Sequence, residues 1–177
     1  MSGDEQLRLF LALRLPDEVL DEVERWQREQ LVGVRVVPRE HLHVTLAFLG
    51  RRPADELETI VGALRDAAAE ARAIRLTQAR YGEMRSVGML VLEDDEGRAT
   101  LLAGDVQERL ERLGVYRRES RPWLPHLTVA RWRERPRLRL EPPPVGTFVP
   151  SDAAAYLSRL HPGGARYEVL ESVALGG

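Results

Sequence analysis

The chain has 177 residues, of which 44% are hydrophobic and 31% are charged, and its formal net charge at pH 7 is −2. This composition is typical of a soluble globular protein, and the length fits one domain, residues 1–177, made of two intertwined lobes. The absence of cysteine excludes disulfides, thiolate metal sites and a cysteine nucleophile.

No apolar stretch approaches the ~18 residues that a membrane-spanning helix needs. Residues 1–5 show no basic start followed by an apolar run, so no secretory signal is expected. We therefore expect a cytoplasmic protein that does not contact a membrane.

Leucine at every second position predicts the first strand, which Pro16 should end. One face of this strand carries Leu7, Leu9, Leu11, Leu13 and Leu15. Asp17 is then expected to cap a helix. Helical spacing within that helix is shown by Val19, Val23, Trp26 and Gln30.

The next strand is predicted at residues 41–49, with Gly50 at its end. Its apolar face carries Leu42, Val44, Leu46 and Phe48. Its other face carries His41, His43, Thr45 and Ala47. The alternation predicts a strand with one buried face and one polar face.

The remaining pattern predicts helices at residues 57–68 and 100–113, the second ended by Gly114. Strands are predicted at residues 74–81, 87–92, 126–131, 153–160 and 167–175. Residues 94–97 and 161–164 are expected to form turns, and residues 133–144, rich in Arg and Pro, an irregular, mobile loop. Both halves of the chain pass through a helix before a strand that carries His-x-Thr, which indicates a duplication with two facing lobes.

The basic residues are all arginine, 26 in number, and they are unevenly distributed. Residues 109–139 contain ten arginines against three glutamates. A local basic zone in a nearly neutral protein points to an anionic ligand. A solvated, ion-paired surface explains the same pattern, and charge alone favours that interpretation.

Two segments share the pattern His, apolar, Thr, apolar. They are His43-Val44-Thr45-Leu46 and His126-Leu127-Thr128-Val129. On a strand, residues i and i+2 point to the same face, roughly 7 Å apart. Each segment therefore places an imidazole and a hydroxyl on one surface.

Displacement at phosphorus runs in line, so an acid and a base must face each other across the phosphorus atom. Imidazole titrates near 6.5, which allows one ring to be neutral and the other charged. Threonine hydroxyls donate to non-bridging phosphate oxygens. Such a site needs neither a metal nor a cofactor.

A single His-x-Thr is most often a satisfied polar strand edge, and only the second copy favours catalysis. His41 and His43 together resemble half of a zinc site, but no third ligand or cysteine is suitably spaced. Phe10 can border a cleft or fill the core, whereas Trp26 fits the core and His161 the surface.

The sequence resembles the 2H phosphoesterases, specifically the RNA 2′,3′-cyclic phosphodiesterases once named 2′-5′ RNA ligases. The resemblance covers nearly the whole chain. It rests on the strand at residues 8–13, the two histidine motifs within residues 41–50 and 121–131, and the late segments 156–158 and 164–167.

The resemblance implies an α+β, bilobal fold with antiparallel sheets around a central cleft and helices outside. It also implies hydrolysis of a 2′,3′-cyclic phosphate to a 2′-phosphomonoester, on RNA ends or small cyclic nucleotides. The oligomeric state is open, and a monomer is expected because the fold needs no partner. His43 would be the proton donor and His126 the proton acceptor.

Thr45 and Thr128 would hold phosphate oxygens, as the resemblance implies. Arg131 would add a bidentate contact, although strict alternation turns it away from Thr128 unless a bulge or strand end intervenes. Trp123 and His41 depart from the family pattern, and neither is expected to touch the histidine–threonine pairs.

Three other functions stay open at this point. A 2′-5′ RNA ligase would use the same acid and base, because the chemistry is reversible. A non-catalytic module would bind RNA ends without turnover. A metal phosphoesterase would purify with its metal.

Overall fold

The computed structural model describes residues 5–176, which form nine strands and three helices. The strands are β1 (Gln6–Arg14), β2 (Arg35–Val36), β3 (Val44–Pro53), β4 (Leu76–Glu83), β5 (Val87–Asp94), β6 (His126–Arg131), β7 (Thr147–Phe148), β8 (Asp152–His161) and β9 (Gly164–Val173). The helices are α1 (Asp17–Gln30), α2 (Leu57–Glu70) and α3 (Arg98–Arg112). Residues 1–4, on which most of the secretory-signal expectation rests, lie outside the described residues.

Two antiparallel sheets organise the molecule. One has the strand order β3-β1-β8-β9, and the other has the order β2-β6-β5-β4-β7. The first sheet joins strands from the two ends of the chain, while β2 crosses to the second sheet. This arrangement confirms the predicted α+β class with antiparallel sheets. None of the helices in residues 5–176 has the length and apolar character needed to span a bilayer.

The leucine face of β1 forms the centre of the main core. Leu9, Leu11 and Leu13 are each at most 1% exposed and pack in one cluster with side chains of all three helices. Burying one such side chain stabilises the fold by about 1.5–3 kcal/mol. The opposite face of β1 contributes Phe10 and Ala12 to a second, smaller cluster with residues of β8. The helices therefore cover the leucine face and leave the other face free.

The start of α1 differs from the prediction by one residue. Pro16, not Asp17, occupies the cap position, and its carbonyl accepts hydrogen bonds from the N–H groups of Val19 and Leu20, both at 3.1 Å. Asp17 lies in the first turn, where its carboxylate complements the helix dipole. At the other end Gln30 is exposed and Gln27 is buried instead.

Strand β3 departs from strict alternation. Residues 39–41 form a 3-10 turn, so β3 begins only at Val44, and it continues through Gly50 to Pro53. Opposite β1, Thr45 pairs with Ala12 and Ala47 pairs with Leu11, which leaves Leu46 in a β-bulge. The bulge reverses the alternation of buried and exposed side chains after Leu46. Phe48, which was predicted on the apolar face, is therefore 50% exposed.

Residues 132–146 contain neither helix nor strand, as predicted. The indole N–H of Trp26 donates to the carbonyl of Glu141, and the N–H of Leu138 donates to the carboxylate of Glu83. Trp26 is buried, which confirms its core role. The mobility of this loop stays a prediction. The two-residue strand β7 was missed, because so short an edge strand has no periodicity to detect.

Candidate active site

One cavity of about 710 Å³ lies between the two sheets. It is lined by every residue that the sequence assigned to the site, namely His43, Thr45, His126, Thr128 and Arg131. His43 immediately precedes β3, Thr45 lies at its start, and the other three residues come from β6. The fold therefore brings the two motifs, 83 residues apart in the sequence, into one cleft.

The ring of His43 is held from both sides. Its Nδ1 lies 2.7 Å from the carbonyl oxygen of His41, and its Nε2 lies 2.9 Å from the hydroxyl of Thr45. Because a carbonyl can only accept, Nδ1 carries the proton and donates it. Nε2 is then unprotonated and accepts from the Thr45 hydroxyl.

The ring of His126 is held by the same kind of bond. Its Nδ1 lies 2.8 Å from the carbonyl oxygen of Leu124. In both motifs, the accepting carbonyl therefore belongs to the residue two positions before the histidine. This bond fixes the tautomer of each ring and reserves Nε2 for the cavity.

Burial lowers the pKa of His43 to about 4, because the charged imidazolium is poorly solvated there. The positive charges of His126, His41 and Arg131 lower this pKa further. The hydrogen bond to the carbonyl of His41 acts in the opposite direction, but it is the weaker effect. His43 is therefore neutral at pH 7 in the ligand-free protein.

A second β-bulge turns Arg131 into the cavity. Opposite β5, Thr128 pairs with Met89 and Ala130 pairs with Gly88, which leaves Val129 in the bulge. Arg131 follows Thr128 by three residues and lines the same cavity. The bulge on which the predicted role of Arg131 depended is thus present. Phe48 has the equivalent position in β3, three residues after Thr45 and beyond the bulge at Leu46.

Aromatic rings form the floor of the cleft beside His43. The ring centroid of Phe10 lies 4.9 Å from that of His43 and 4.8 Å from that of Tyr156, with which it is nearly parallel. The ring of His41 stacks on Tyr167 at 4.1 Å. Phe10 is 3% exposed and lines the cavity, so it serves both of the roles that the sequence left open.

Trp123 and His41 both contact the motifs, so the expectation that neither would do so was wrong. The indole N–H of Trp123 donates to the carbonyl of Thr45 at 3.0 Å and thereby ties the segment before β6 to β3. His41 supplies the carbonyl that orients His43. In both contacts the acceptor is a backbone carbonyl, of Thr45 in β3 or of His41 in the turn before it. A pattern of side chains in the sequence does not reveal such contacts.

Of the ten arginines in the basic zone at residues 109–139, only Arg131 lines the cavity. Five others pair with carboxylates, namely Arg109, Arg112, Arg118, Arg121 and Arg135. The other arginines that line the cavity are Arg8, Arg35 and Arg166, which lie outside this zone. Arg8 had a usable signal, since it shares a strand face with Phe10, and Arg166 lies in one of the segments that carry the resemblance.

The cleft also holds two histidines outside the motifs. His41 stacks on Tyr167, and His161, at the tip of the β8–β9 hairpin, is exposed as expected and borders the cavity. Within residues 5–176, no three His, Asp or Glu side chains are grouped so that they would hold a metal ion.

Comparisons with known proteins agree with this geometry. The profile of the 2'-5' RNA ligase superfamily matches residues 15–161. The RNA 2',3'-cyclic phosphodiesterase of Thermus thermophilus is 32% identical over 188 aligned positions, which cover 97% of this chain and 91% of that protein. The apo structure of E. coli LigT is 25% identical and superposes with a TM-score of 0.85, covering 98% of this chain and 100% of LigT. TT0787 of Thermus thermophilus gives a TM-score of 0.84 at 27% identity, covering 97% of this chain and 99% of TT0787.

The lowered pKa of His43 predicts an acid-dependent loss of stability. In the unfolded chain this histidine binds a proton below about pH 6.5, whereas in the folded chain it does so only below about pH 4. The free energy of unfolding should therefore fall as the pH drops from 6.5 towards 4, and this residue should contribute a loss of about 2–3 kcal/mol at pH 4.5.

Urea unfolding of the native protein and of His43→Gln at pH 7 and pH 4.5 measures this contribution. The variant should lose about 2–3 kcal/mol less than the native protein between the two pH values. An equal loss in both proteins would contradict the neutral, buried state of His43.

Proposed function

The chain belongs to the 2'-5' RNA ligase superfamily, and we propose that it hydrolyses RNA 2′,3′-cyclic phosphate ends to 2′-phosphomonoesters without a metal. The observation that carries the proposal is the convergence of two His-x-Thr motifs on one cavity. The name of the Thermus thermophilus relative, RNA 2',3'-cyclic phosphodiesterase, supports the same reaction.

The reaction uses the two imidazoles in different roles. Nε2 of His126 takes a proton from water, whose oxygen attacks the phosphorus and forms a new P–O bond. The bond between phosphorus and the 3′-oxygen breaks in line with the attack. Nε2 of His43 gives its proton to the departing 3′-oxygen. The products are a 2′-phosphomonoester and a free 3′-hydroxyl.

The threonines and Arg131 hold the non-bridging oxygens of the phosphate. The hydroxyl of Thr45 donates to Nε2 of His43 in the free protein. When it turns to donate to the phosphate, it leaves Nε2 free to carry a proton. Thr128 provides the equivalent hydroxyl from β6, and the guanidinium of Arg131 adds a charge-assisted contact.

The substrate itself brings His43 into the protonated form that the reaction needs. The pKa of His43 is lowered in the free protein by burial and by neighbouring positive charges. A cyclic phosphate bound beside the ring adds a negative charge at short range, which raises the pKa of His43 again. Substrate binding therefore shifts His43 towards the charged form in which it acts as the acid.

A 2′-5′ ligation follows from the same atoms if a 5′-hydroxyl takes the place of water. The acid and base keep their roles, and the superfamily description names this activity. Water is the more abundant nucleophile, so hydrolysis is the primary proposal. Both motifs come from one chain, so a monomer suffices, and we place this monomer in the cytoplasm.

Replacing either motif histidine tests the assignment. His43→Ala and His126→Ala should each lower kcat by about 10²–10⁴-fold, because each removes one proton-transfer group. The assay is hydrolysis of a 2′,3′-cyclic nucleotide, with folding checked by circular dichroism. Native activity should persist in EDTA.

His161→Ala is the matched control, since His161 is exposed at the edge of the cavity and holds no motif position. It should lose far less activity than the motif variants. Full activity in either motif variant would remove the catalytic assignment.

A further inference from the structure

The cleft contains more positive charge than one cyclic phosphate requires. Its lining includes four arginines against one carboxylate, that of Glu40. Arg8, Arg35 and Arg166 form no ion pair with a carboxylate of residues 5–176, although the chain as a whole has a net charge of −2. A cyclic phosphate carries a single negative charge. In the proposed reaction its oxygens are already bound by Thr45, Thr128 and Arg131. The remaining arginines point to a second anionic group on the substrate.

Arg35 lies next to Arg131 in the second sheet. The two residues are direct partners in the β2–β6 ladder. Side chains of such partners leave the sheet on the same side, with their Cβ atoms roughly 4.5–5.5 Å apart. Arg35 therefore lies beside Arg131, the arginine assigned to the reacting phosphate. It belongs to β2, the edge strand of this sheet.

The tip of the β8–β9 hairpin packs on Arg35 from the other sheet. A Cβ atom on Gly164 would lie 2.8 Å from the guanidinium of Arg35, so the hairpin tip packs directly on that arginine. Arg166 follows Gly164 by two positions on β9 and lines the same cavity. Arg35 and Arg166 therefore line one cavity from the two sheets, and neither forms an ion pair with a carboxylate of residues 5–176.

We propose that Arg35 and Arg166 form a subsite for the phosphodiester that precedes the cyclic terminus of an RNA chain. This proposal rests on the proposed function and narrows its substrate class to oligoribonucleotides. A phosphodiester has two non-bridging oxygens, which suit guanidinium donors from two sides. A nucleoside cyclic phosphate leaves this subsite empty.

Three substrates test the subsite: a nucleoside 2′,3′-cyclic phosphate, its 5′-phosphorylated form, and a dinucleotide that ends in a 2′,3′-cyclic phosphate. The native enzyme should show a kcat/KM at least tenfold higher for the dinucleotide than for the nucleoside. Arg35→Gln and Arg166→Gln should each remove most of that preference. Arg159→Gln is the matched control, because Arg159 lies on the same hairpin but pairs with Glu168 and does not line the cavity.

The outcomes separate the subsite from the reaction. Equal kcat/KM for all three substrates, or a preference that both variants retain, overturns the subsite and leaves the proposed hydrolysis standing. A preference confined to the 5′-phosphorylated nucleoside overturns the assignment to an RNA chain. Failure to hydrolyse any of the three substrates overturns the proposed function as well.

A separate observation concerns the two bulges, because a buried glutamine reaches the carbonyl of each bulged residue. Nε2 of Gln107, on α3, donates to the carbonyl of Leu46 at 2.9 Å. Nε2 of Gln27, on α1, donates to the carbonyl of Val129 at 3.0 Å and also to that of Val37 at 2.9 Å. Gln107 is 8% exposed and Gln27 is 4% exposed. The bulged residue is in each case the fourth residue of a His-x-Thr-x motif.

We infer that Gln107 and Gln27 are positioning residues, which hold each bulge and thereby aim the side chains on both sides of it. The bulge at Leu46 keeps Thr45 and Phe48 on the cleft side, and the bulge at Val129 does the same for Thr128 and Arg131. A bulge interrupts the ladder, and at these two bulges a glutamine outside the sheet binds the carbonyl of the bulged residue. Each helix supplies that contact.

The test compares the effects of Gln107→Leu on kcat and on KM. This variant keeps the approximate side-chain volume but removes the hydrogen-bond donor to the carbonyl of Leu46. Its kcat should fall at least tenfold while KM changes less than about threefold. Val106→Ala, at the buried neighbour on α3, is the control for lost stability, and its kcat should stay near the native value. If Gln107→Leu does not fold, Gln107→Asn, which keeps the amide but shortens its reach, should show the same loss. Native kcat in the folded variant overturns the inference.

Discussion

The site depends on one hydrogen bond made twice: Nδ1–H of each cleft imidazole donates to the backbone carbonyl two residues before it. His43 makes this bond at 2.7 Å and His126 at 2.8 Å. It fixes the tautomer, so that Nε2 is the nitrogen left for chemistry, and it prevents the ring from rotating about its side-chain bonds. Proton transfer in a fixed direction requires both effects. The acceptors are backbone atoms of the turn before β3 and the segment before β6, so the scaffold itself orients the rings.

The intertwined topology explains how two distant segments reach one cavity. Strand β1 lies between β3 and β8, so strands from both ends of the chain form the sheet that supports His43. The indole of Trp123 then ties the approach to β6 to the backbone of Thr45 across the cleft. The leucine face of β1 is buried under the helices, which leaves its Phe10 face to form the floor beneath His43. Stability and site geometry thus come from opposite faces of one strand.

Much of the fold could be predicted because its elements have strong periodicity. The leucine alternation of β1 and the helical spacing of α2 and α3 were sufficient to place them, and the repeated His-x-Thr pattern identified the pairs that share the cavity. The bulges at Leu46 and Val129 could not be predicted, since they depend on partners in other strands and on glutamines far away in the sequence. The unpredicted bulge at Leu46 is also why Phe48 was assigned to the wrong face. Arg35 and Arg166 were not assigned to the site, because only the tertiary structure brings them to the cleft. The acid and base roles, for their part, still rest on the resemblance.

In the proposed reaction the two imidazoles act from opposite sides of one phosphorus atom, in roles that cannot be exchanged. The most direct test is ³¹P NMR of the product formed from a nucleoside 2′,3′-cyclic phosphate. Fixed roles in a cleft that binds the sugar in one orientation predict the nucleoside 2′-phosphate as the only product. A 3′-phosphate, or a mixture of the two isomers, would contradict the account.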